Sequence, residues 1–208
     1  MIDQTNCVQL NLFDVNQQLP KHHLIRGLVY VEDFIYNEKQ EKLLETIDSQ
    51  AWIMDLKRRV QHYGYRYNYK SRSIDLSMYL GELPEWAGEI AQQIKDKHYI
   101  DVLPDQVIVN EYQPGQGISP HIDCESCFTD TIISLSLGSS CIMEFVDKSR
   151  NEQKSLFLKS GSLLILKGEA RYQWMHGIKP RKADKWQEEK IQRKRRVSLT
   201  FRKTICSR

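Results

Sequence analysis

From residue 106 onward the chain alternates between short apolar runs and turn residues, and the pattern is that of strands. Apolar alternation or brief apolar stretches fall at 106–112, 129–137, 140–146, 154–158, 162–167, 171–176 and 196–204. Between them lie Pro114-Gly115, Gly138-Ser139, Ser160-Gly161 and Lys167-Gly168, where proline presets φ and glycine reaches conformations closed to other residues. Many short strands with turn signals between them predict a sandwich or jelly roll rather than a parallel α/β sheet. The first half of the chain reads differently. Residues 27–35 predict a short strand running into a turn. A helix should follow from about Asn37, where Asn37 and Gln40 resemble a capping box. Leu43, Leu44 and Ile47 then recur at helical spacing. Pro84 opens a second helix over about 84–98, with Trp86, Ile90 and Ile94 on one stripe. Lys95, Lys97 and His98 suit the negative end of its dipole. Residues 1–25 are polar apart from Leu10, Leu12 and Phe13, and read as an extension ahead of one α+β domain at 26–204.

Composition narrows this picture only slightly. A chain of 208 residues fits one large domain, and at that size about 70% of the unfolded surface can be buried without a crosslink or structural metal. The balance of 30 basic and 27 acidic residues, a net charge of +3, names no partner. No apolar run approaches the roughly 18–20 residues of a membrane span, and the N-terminus lacks the order of a secretion signal. The expectation is a monomer in the cytoplasm, or in the nucleus of a eukaryote. The 5 cysteines, Cys7, Cys124, Cys127, Cys141 and Cys206, are odd in number without such a signal and read as reduced thiols. Cys124 and Cys127 then act as small packing residues. His22, His23, His62 and His98 have no partner pattern and read as non-ligands.

Charge is distributed less evenly than its sum suggests. Over 52–72, Tyr63, Tyr65, Tyr67 and Tyr69 alternate with Gly64, Arg66, Asn68 and Lys70, which predicts a strand or hairpin with one tyrosine face and one basic face. Lys57, Arg58, Arg59, Arg66, Lys70 and Arg72 oppose Asp55 alone. An amphipathic hairpin packed on the core would look like this. So would a nucleic-acid platform, with basic groups on phosphates and rings on bases. A second basic run covers 179–196, where Lys179, Arg181, Lys182, Lys185, Lys190, Arg193, Lys194, Arg195 and Arg196 outnumber Asp184, Glu188 and Glu189. It is expected to flank a binding site and hold a phosphate backbone.

The candidate chemistry lies between these runs. In Asn110-Glu-Tyr-Gln-Pro-Gly-Gln-Gly-Ile-Ser-Pro-His121-Ile-Asp123 a strand leads through a turn to His-x-Asp. In an extended chain residues i and i+2 share a side, so His121 and Asp123 can close on one ion. His176 is the best third ligand. Two histidines and one carboxylate form the facial triad of non-haem Fe(II) oxygenases, which leaves positions open for co-substrate and oxygen. At 196–202 Val197, Leu199 and Phe201 take one face while Arg196, Ser198, Thr200 and Arg202 take the other. A dicarboxylate is a natural guest for such a face, because arginine binds carboxylates with a bidentate fork.

Taken together, Asn110-x-Tyr112-x-Pro-Gly, His121-x-Asp123, Arg171-Tyr-Gln-Trp-Met-His176-Gly and Arg196-x-x-x-x-x-Arg202 resemble the AlkB family of Fe(II)/2-oxoglutarate dioxygenases over about residues 26–204. The resemblance implies a double-stranded β-helix with N-terminal helices and a nucleotide-recognition lid at about 52–72. It implies iron on His121, Asp123 and His176, with 2-oxoglutarate and O2 as co-substrates. Arg196 would pair with the distal carboxylate of 2-oxoglutarate, with Asn110, Tyr112 and Ser198 nearby and Arg202 near its other end. Glu125, two positions after the metal aspartate, matches an acidic residue that helps read the base. Arg58, Arg59, Tyr63, Tyr65 and Tyr67 fall in the lid as substrate-contacting residues. Some repair members carry an aromatic residue ahead of the Gly-Tyr pair to stack on the base; here the region further upstream carries Arg58 and Arg59, so either a nearby ring such as Tyr63 or His62 does the stacking or the substrate is not a methylated base of the usual kind.

The implied reaction couples decarboxylation of 2-oxoglutarate to oxidation of a C–H bond, with selectivity set by positioning. An N-methyl carbon would leave as formaldehyde, and a carbon substituent would keep its hydroxyl. The leading expectation is demethylation of alkylated bases in single-stranded or flipped-out DNA or RNA. The alternatives are hydroxylation of a wobble uridine in tRNA, or an oxygenase acting on a protein or small molecule. The basic, tyrosine-rich lid argues against the small molecule.

Overall fold

The computed structural model describes residues 25–205 apart from Asp55 and Lys148. The N-terminal extension, with Cys7, His22 and His23, lies outside them, as does Cys206. Strand β1 (Leu28–Val31) leads to helix α1 (Asn37–Asp48), strand β2 (Val60–Tyr63), a short 3-10 turn (Leu76–Met78) and helix α2 (Glu85–Asp96). Strands β3 (Gln106–Tyr112), β4 (Ile118–His121), β5 (Phe128–Gly138), β6 (Cys141–Asp147), β7 (Glu152–Leu158) and β8 (Leu163–Leu166) follow. After the short helix α3 (Gly168–Tyr172) come β9 (Met175–Ile178), β10 (Ala183–Trp186), β11 (Glu189–Gln192) and β12 (Arg196–Thr204). Among the described residues, no helix is long and apolar enough to cross a membrane.

Every strand pairing is antiparallel. The large sheet runs β1-β8-β5-β12-β3-β2, and a facing sheet runs β4-β9-β6-β7. This is the jelly roll expected from the strand pattern, a double-stranded β-helix with helices on one outer face. The alternation of β12 explains the layering. Val197, Leu199 and Phe201 join Ile47, Ala87, Ile90 and Ile94 in a core under α1 and α2. Its other face, with Arg196, Ser198, Thr200 and Arg202, looks into the space between the sheets. A second core, including Phe128, Met143, Phe145, Leu164 and Trp174, closes the far part of that space.

Several local expectations need correction. Residue Tyr36, not Asn37, precedes α1, and no side chain caps the helix. Gln40 is buried, and its amide donates to the carbonyl of Ile35 (3.2 Å) and to Asn37 Oδ1 (3.3 Å). The strand expected at 171–176 begins only at Met175, because the chain from Gly168 first makes one helical turn. The hairpin expected at 52–72 reduces to β2 and isolated bridges, Ile53 with Val60, Tyr65 with Tyr79 and Asn68 with Ser73. Gly64 breaks the alternation: it has φ +75, and a Cβ there would lie 1.8 Å from the Asp105 carbonyl oxygen.

A candidate metal centre and its cavity

His121 ends β4 and lies directly opposite His176 on β9. That approach depends on Gly177, whose added Cβ would meet Pro120 N at 2.8 Å and the Ile118 carbonyl oxygen at 2.9 Å. Asp123 follows two residues after His121. One ligand atom from each of the three side chains lies within 4.8 Å of the others, and Asp123 Oδ2 is 3.4 Å from His176 Nε2. The Nδ1 of His121 is 2.9 Å from the Ser119 carbonyl oxygen, so its proton belongs there and Nε2 is left for a metal. Asp123 Oδ2 is buried without a hydrogen-bond partner, as suits an oxygen meant for a cation.

The electrostatics agree with this geometry. Burial, then the neighbouring His176, lowers His121 to about 4, so it is a neutral donor near pH 7. Burial by itself would raise the Asp123 carboxyl, but Arg202 and the two imidazoles outweigh it and hold the group well below the usual carboxylate range. Arg202 Nη2 sits 2.6 Å from Asp123 Oδ1, and its guanidinium lies 4.7 Å from the centroid of the Phe128 ring.

These groups line a cavity of about 600 Å³ between the sheets. Asn110, Tyr112, Arg196, Ser198 and Arg202 all border it. Arg196 is 3% exposed; its Nη2 donates to Ser136 Oγ (2.9 Å), its Nε has no partner, and its guanidinium faces the Tyr112 ring. A buried cation with so few partners fits an anionic ligand. Burial raises the Tyr112 phenol, which stays protonated and able to donate.

The lid residues divide. Arg58 and Tyr67 border the cavity, joined by Tyr69 and Arg72, which sequence reasoning had not assigned to the site. Tyr63 instead packs edge-on against Trp86, and Tyr65 against Tyr79. Arg59 pairs with Glu111 and lies over Trp52. These three, counted above as substrate contacts, face away: Trp86 and Tyr79 hold the two rings, and Glu111 draws Arg59 to the helix side. Glu125 is exposed on the turn after Asp123 and does not border the cavity.

The basic run at 179–196 also differs from its expected role. Arg193 is buried against Asp184, Lys179 and Arg181 pair with Glu144, Lys185 with Glu188, and Arg195 with Asp48 and Glu111. Most of its charge is neutralised within the fold. Cys124 and Cys127 are not reduced thiols but form a disulfide. Their spacing brings the two thiols together on the turn after Asp123, where both sulfurs contact the Arg72 carbonyl oxygen. A further residue without an assigned role is Arg171. It is buried beneath that turn and donates to the carbonyls of Asp123 (2.9 Å) and Cys124 (3.2 Å).

The family model described as the 2OG-Fe(II) oxygenase superfamily matches residues 27–202, which include the triad, Arg196 and Arg202. The chain belongs to that superfamily. Within it, the relatives place the chain in the AlkB family. It is 40% identical to an uncharacterized protein of Acanthamoeba polyphaga mimivirus over 87% of this chain and 86% of that one. It is 40% identical to the "Alkylated DNA repair protein ALKBH8 homolog" of Arabidopsis thaliana over 95% of this chain and 62% of that one. It is 43% identical to the mouse "tRNA (carboxymethyluridine(34)-5-O)-methyltransferase ALKBH8" over 76% of this chain, yet only 25% of the mouse protein. The chain thus spans under two thirds of these two named relatives. The solved structure of OsALKBH1 superposes with a TM-score of 0.63 over 85% of this chain and 96% of that one, at 19% identity, which supports the fold. Enzymes of this superfamily are dioxygenases that use Fe(II), 2-oxoglutarate and O2, and His121, Asp123 and His176 fit the iron.

Proposed function

We propose that this dioxygenase oxidises a C–H bond on a nucleic-acid base held in a single strand, a loop or a flipped-out position. His121, Asp123 and His176 would hold the iron, and Arg196 would take the distal carboxylate of 2-oxoglutarate with Tyr112 and Ser198 beside it. When bound, Fe(II) with 2-oxoglutarate and O2 supplies the oxidising power for an unactivated C–H bond. The protein's own part is positioning. Tyr67 and Tyr69 offer rings at the cavity wall on which a base can stack, and Arg72 offers a charge to a phosphate at its rim. The observation that carries the reading is the shared cavity, which joins the triad, the buried Arg196 and these lid side chains.

Two outcomes follow from the same chemistry. Oxidation of an N-methyl group would release formaldehyde and restore the base, whereas a carbon substituent would keep its hydroxyl. The relatives' names support both: those named for tRNA carboxymethyluridine are 38–43% identical, one named for alkylated DNA repair is 40% identical, and two named as demethylases are 29% and 25% identical. The test is aerobic incubation with Fe(II) and 2-oxoglutarate, offering methylated single-stranded DNA and bulk tRNA in parallel, with nucleoside mass spectrometry. A uridine that gains one oxygen supports tRNA hydroxylation, and loss of methylated adenine or cytosine supports demethylation. Succinate formation that no nucleic acid stimulates would overturn both.

A further inference from the structure

The turn that follows the metal aspartate carries two sulfurs, and both meet the lid at one atom. Cys124 Sγ lies 3.2 Å and Cys127 Sγ 3.3 Å from the Arg72 carbonyl oxygen. These are hydrogen-bond distances for a thiol donating to a carbonyl, yet a disulfide between the two sulfurs has no hydrogen to donate. The same turn therefore accommodates either state: a dithiol with two S–H···O hydrogen bonds to the lid, or a disulfide with none. The crosslink is not what holds the turn. The Cys124 carbonyl accepts from the backbone N–H of Cys127 (3.3 Å) and of Phe128 (3.2 Å), and Ile205 N donates to the Cys127 carbonyl at 2.9 Å. Arg171 braces the turn from beneath. The two cysteines are 3 residues apart, and a crosslink across so short a loop constrains the unfolded chain little.

On the lid side, Arg72 is the point that needs holding. Its φ of +51 lies in the left-handed region, which is disfavoured for a residue with a β-carbon. Besides the sulfurs, the loop at 68–73 has one further hydrogen bond to the metal turn, from the Arg72 guanidinium to the Ile122 carbonyl oxygen at 3.4 Å. Among the described residues, its other hydrogen bonds stay within the loop. Both cysteines are buried, but Cys124 borders the cavity together with Tyr69 and Arg72, which gives a small oxidant a path to one sulfur. We propose that Cys124 and Cys127 are a reversible oxidation site that controls the lid: the dithiol clamps Arg72 to the metal turn, and the disulfide loosens it. Hydrogen peroxide makes the change in two steps. The Cys124 sulfur attacks one peroxide oxygen, the O–O bond breaks, and the thiol proton leaves with the other oxygen as water, giving a sulfenic acid. The Cys127 sulfur then attacks Cys124 Sγ, forming the S–S bond, and its proton leaves with the sulfenic hydroxyl as a second water. A dithiol reductant reverses this by exchange: its own sulfurs end as a disulfide, and its two protons pass to the cysteines. The switch acts on the lid whatever base the cavity takes.

The experiment uses the full chain, reduced with dithiothreitol or oxidised with hydrogen peroxide, each reagent then removed. Alkylation followed by peptide mass spectrometry should show Cys124 and Cys127 losing their thiols together and regaining both in dithiothreitol. Trypsin reads the lid, since Lys70 and Arg72 are exposed. Cleavage after these two residues should be about tenfold faster in the oxidised protein, the effect of losing two weak hydrogen bonds. The double variant Cys124→Ser, Cys127→Ser keeps two donors and cannot crosslink, so it should be cut slowly after either treatment. Cys124→Ala, Cys127→Ala lacks both donors and should be cut fast after either. Mn(II) affinity, measured by isothermal titration, should be the same in all of these forms, because the three ligands are assembled with the disulfide in place; it also shows that each variant is folded. Equal cleavage of reduced and oxidised wild type would make the disulfide a static crosslink and overturn the proposal. So would a disulfide that the folded protein keeps in dithiothreitol, or a peroxide effect that survives in the serine variant. A fall in Mn(II) affinity on oxidation would place the effect at the metal instead of the lid, and also overturns it.

Discussion

Arg171 touches no part of the cavity, yet its guanidinium holds the backbone on which the metal aspartate sits. It is 2% exposed, and two of its donors go to the Asp123 and Cys124 carbonyls. Replacement by methionine keeps the bulk and removes both hydrogen bonds. Arg171→Met should weaken Mn(II) binding by about tenfold or more, as loss of a supporting group around a metal site does. Isothermal titration of the apoprotein measures this, and an unchanged affinity would show that Asp123 is held by other means. The metal residues themselves could be read from the sequence, since His-x-Asp and a distant His have a chemical signature. Arg171 could not be, because a side chain that serves two carbonyls follows no spacing rule. The disulfide was missed for a related reason. A Cys-x-x-Cys next to a ligand gives no sign of whether its turn brings the sulfurs together, and the oddness of the cysteine count pointed the wrong way.

Among the elements, β4 and β9 matter most, because their pairing sets the distance between the two histidines. Gly177→Ala drives a methyl group into the Pro120 backbone, and overpacking of this kind costs about 1–3 kcal/mol. It should lower the urea midpoint and abolish tight Mn(II) binding together. A variant that loses stability but keeps its metal affinity would show that β4 can retreat without moving His121. A second element-level contact joins α1, β3 and the segments just before β2 and β12. Glu111 is buried on β3 and accepts from Arg59 and Arg195, while Asp48 at the end of α1 meets the same two arginines. Glu111→Gln should destabilise by about 2 kcal/mol, less than for a wholly buried pair because both arginines are partly exposed. Chemical denaturation checks this, and the loss should shrink in a variant that also carries Arg59→Met. Strands with clean alternation were legible in advance, and β12 and β3 show why: one face meets helices, and the other meets the cavity. The lid was less legible. Its alternating tyrosines satisfy the period of a strand, but the strand ends at Tyr63, and Tyr63 and Tyr65 pack on Trp86 and Tyr79 while Tyr67 and Tyr69 reach the cavity.

For the molecule as a whole, two half-buried histidines set an acid limit. Burial, reinforced by Arg66, Arg202 and Arg58, lowers His62 to about 4, and its Nδ1 accepts from the Tyr67 backbone N–H. His121 is lowered to the same level. Both groups are neutral in the fold and take up protons in the unfolded chain from about pH 6.5 downward. The unfolded state therefore binds more protons between about pH 6.5 and 4, and metal-free stability falls as pH falls through that window. His62→Gln should reduce the steepness of the fall, read from Tm against pH. An equal slope in wild type and variant would place the acid sensitivity elsewhere. Summed charge was a poor guide at this scale. The two basic segments looked alike in the sequence, but 179–196 is tied down by Glu144, Asp184, Glu188, Asp48 and Glu111, and which acids lie near a basic run depends on tertiary structure.

The position of β12 has a consequence for how the molecule is made. It is the last strand described, yet it lies in the middle of the large sheet, hydrogen-bonded to β3 on one side and β5 on the other. While a ribosome is still translating residues 196–204, β3 and β5 have no neighbour at those edges, and the nascent polypeptide must wait with two open ladders. A message cut short before that point would yield a product with a gap through its centre and sticky edges on both sides of it, a target for chaperones and proteases rather than a partial enzyme.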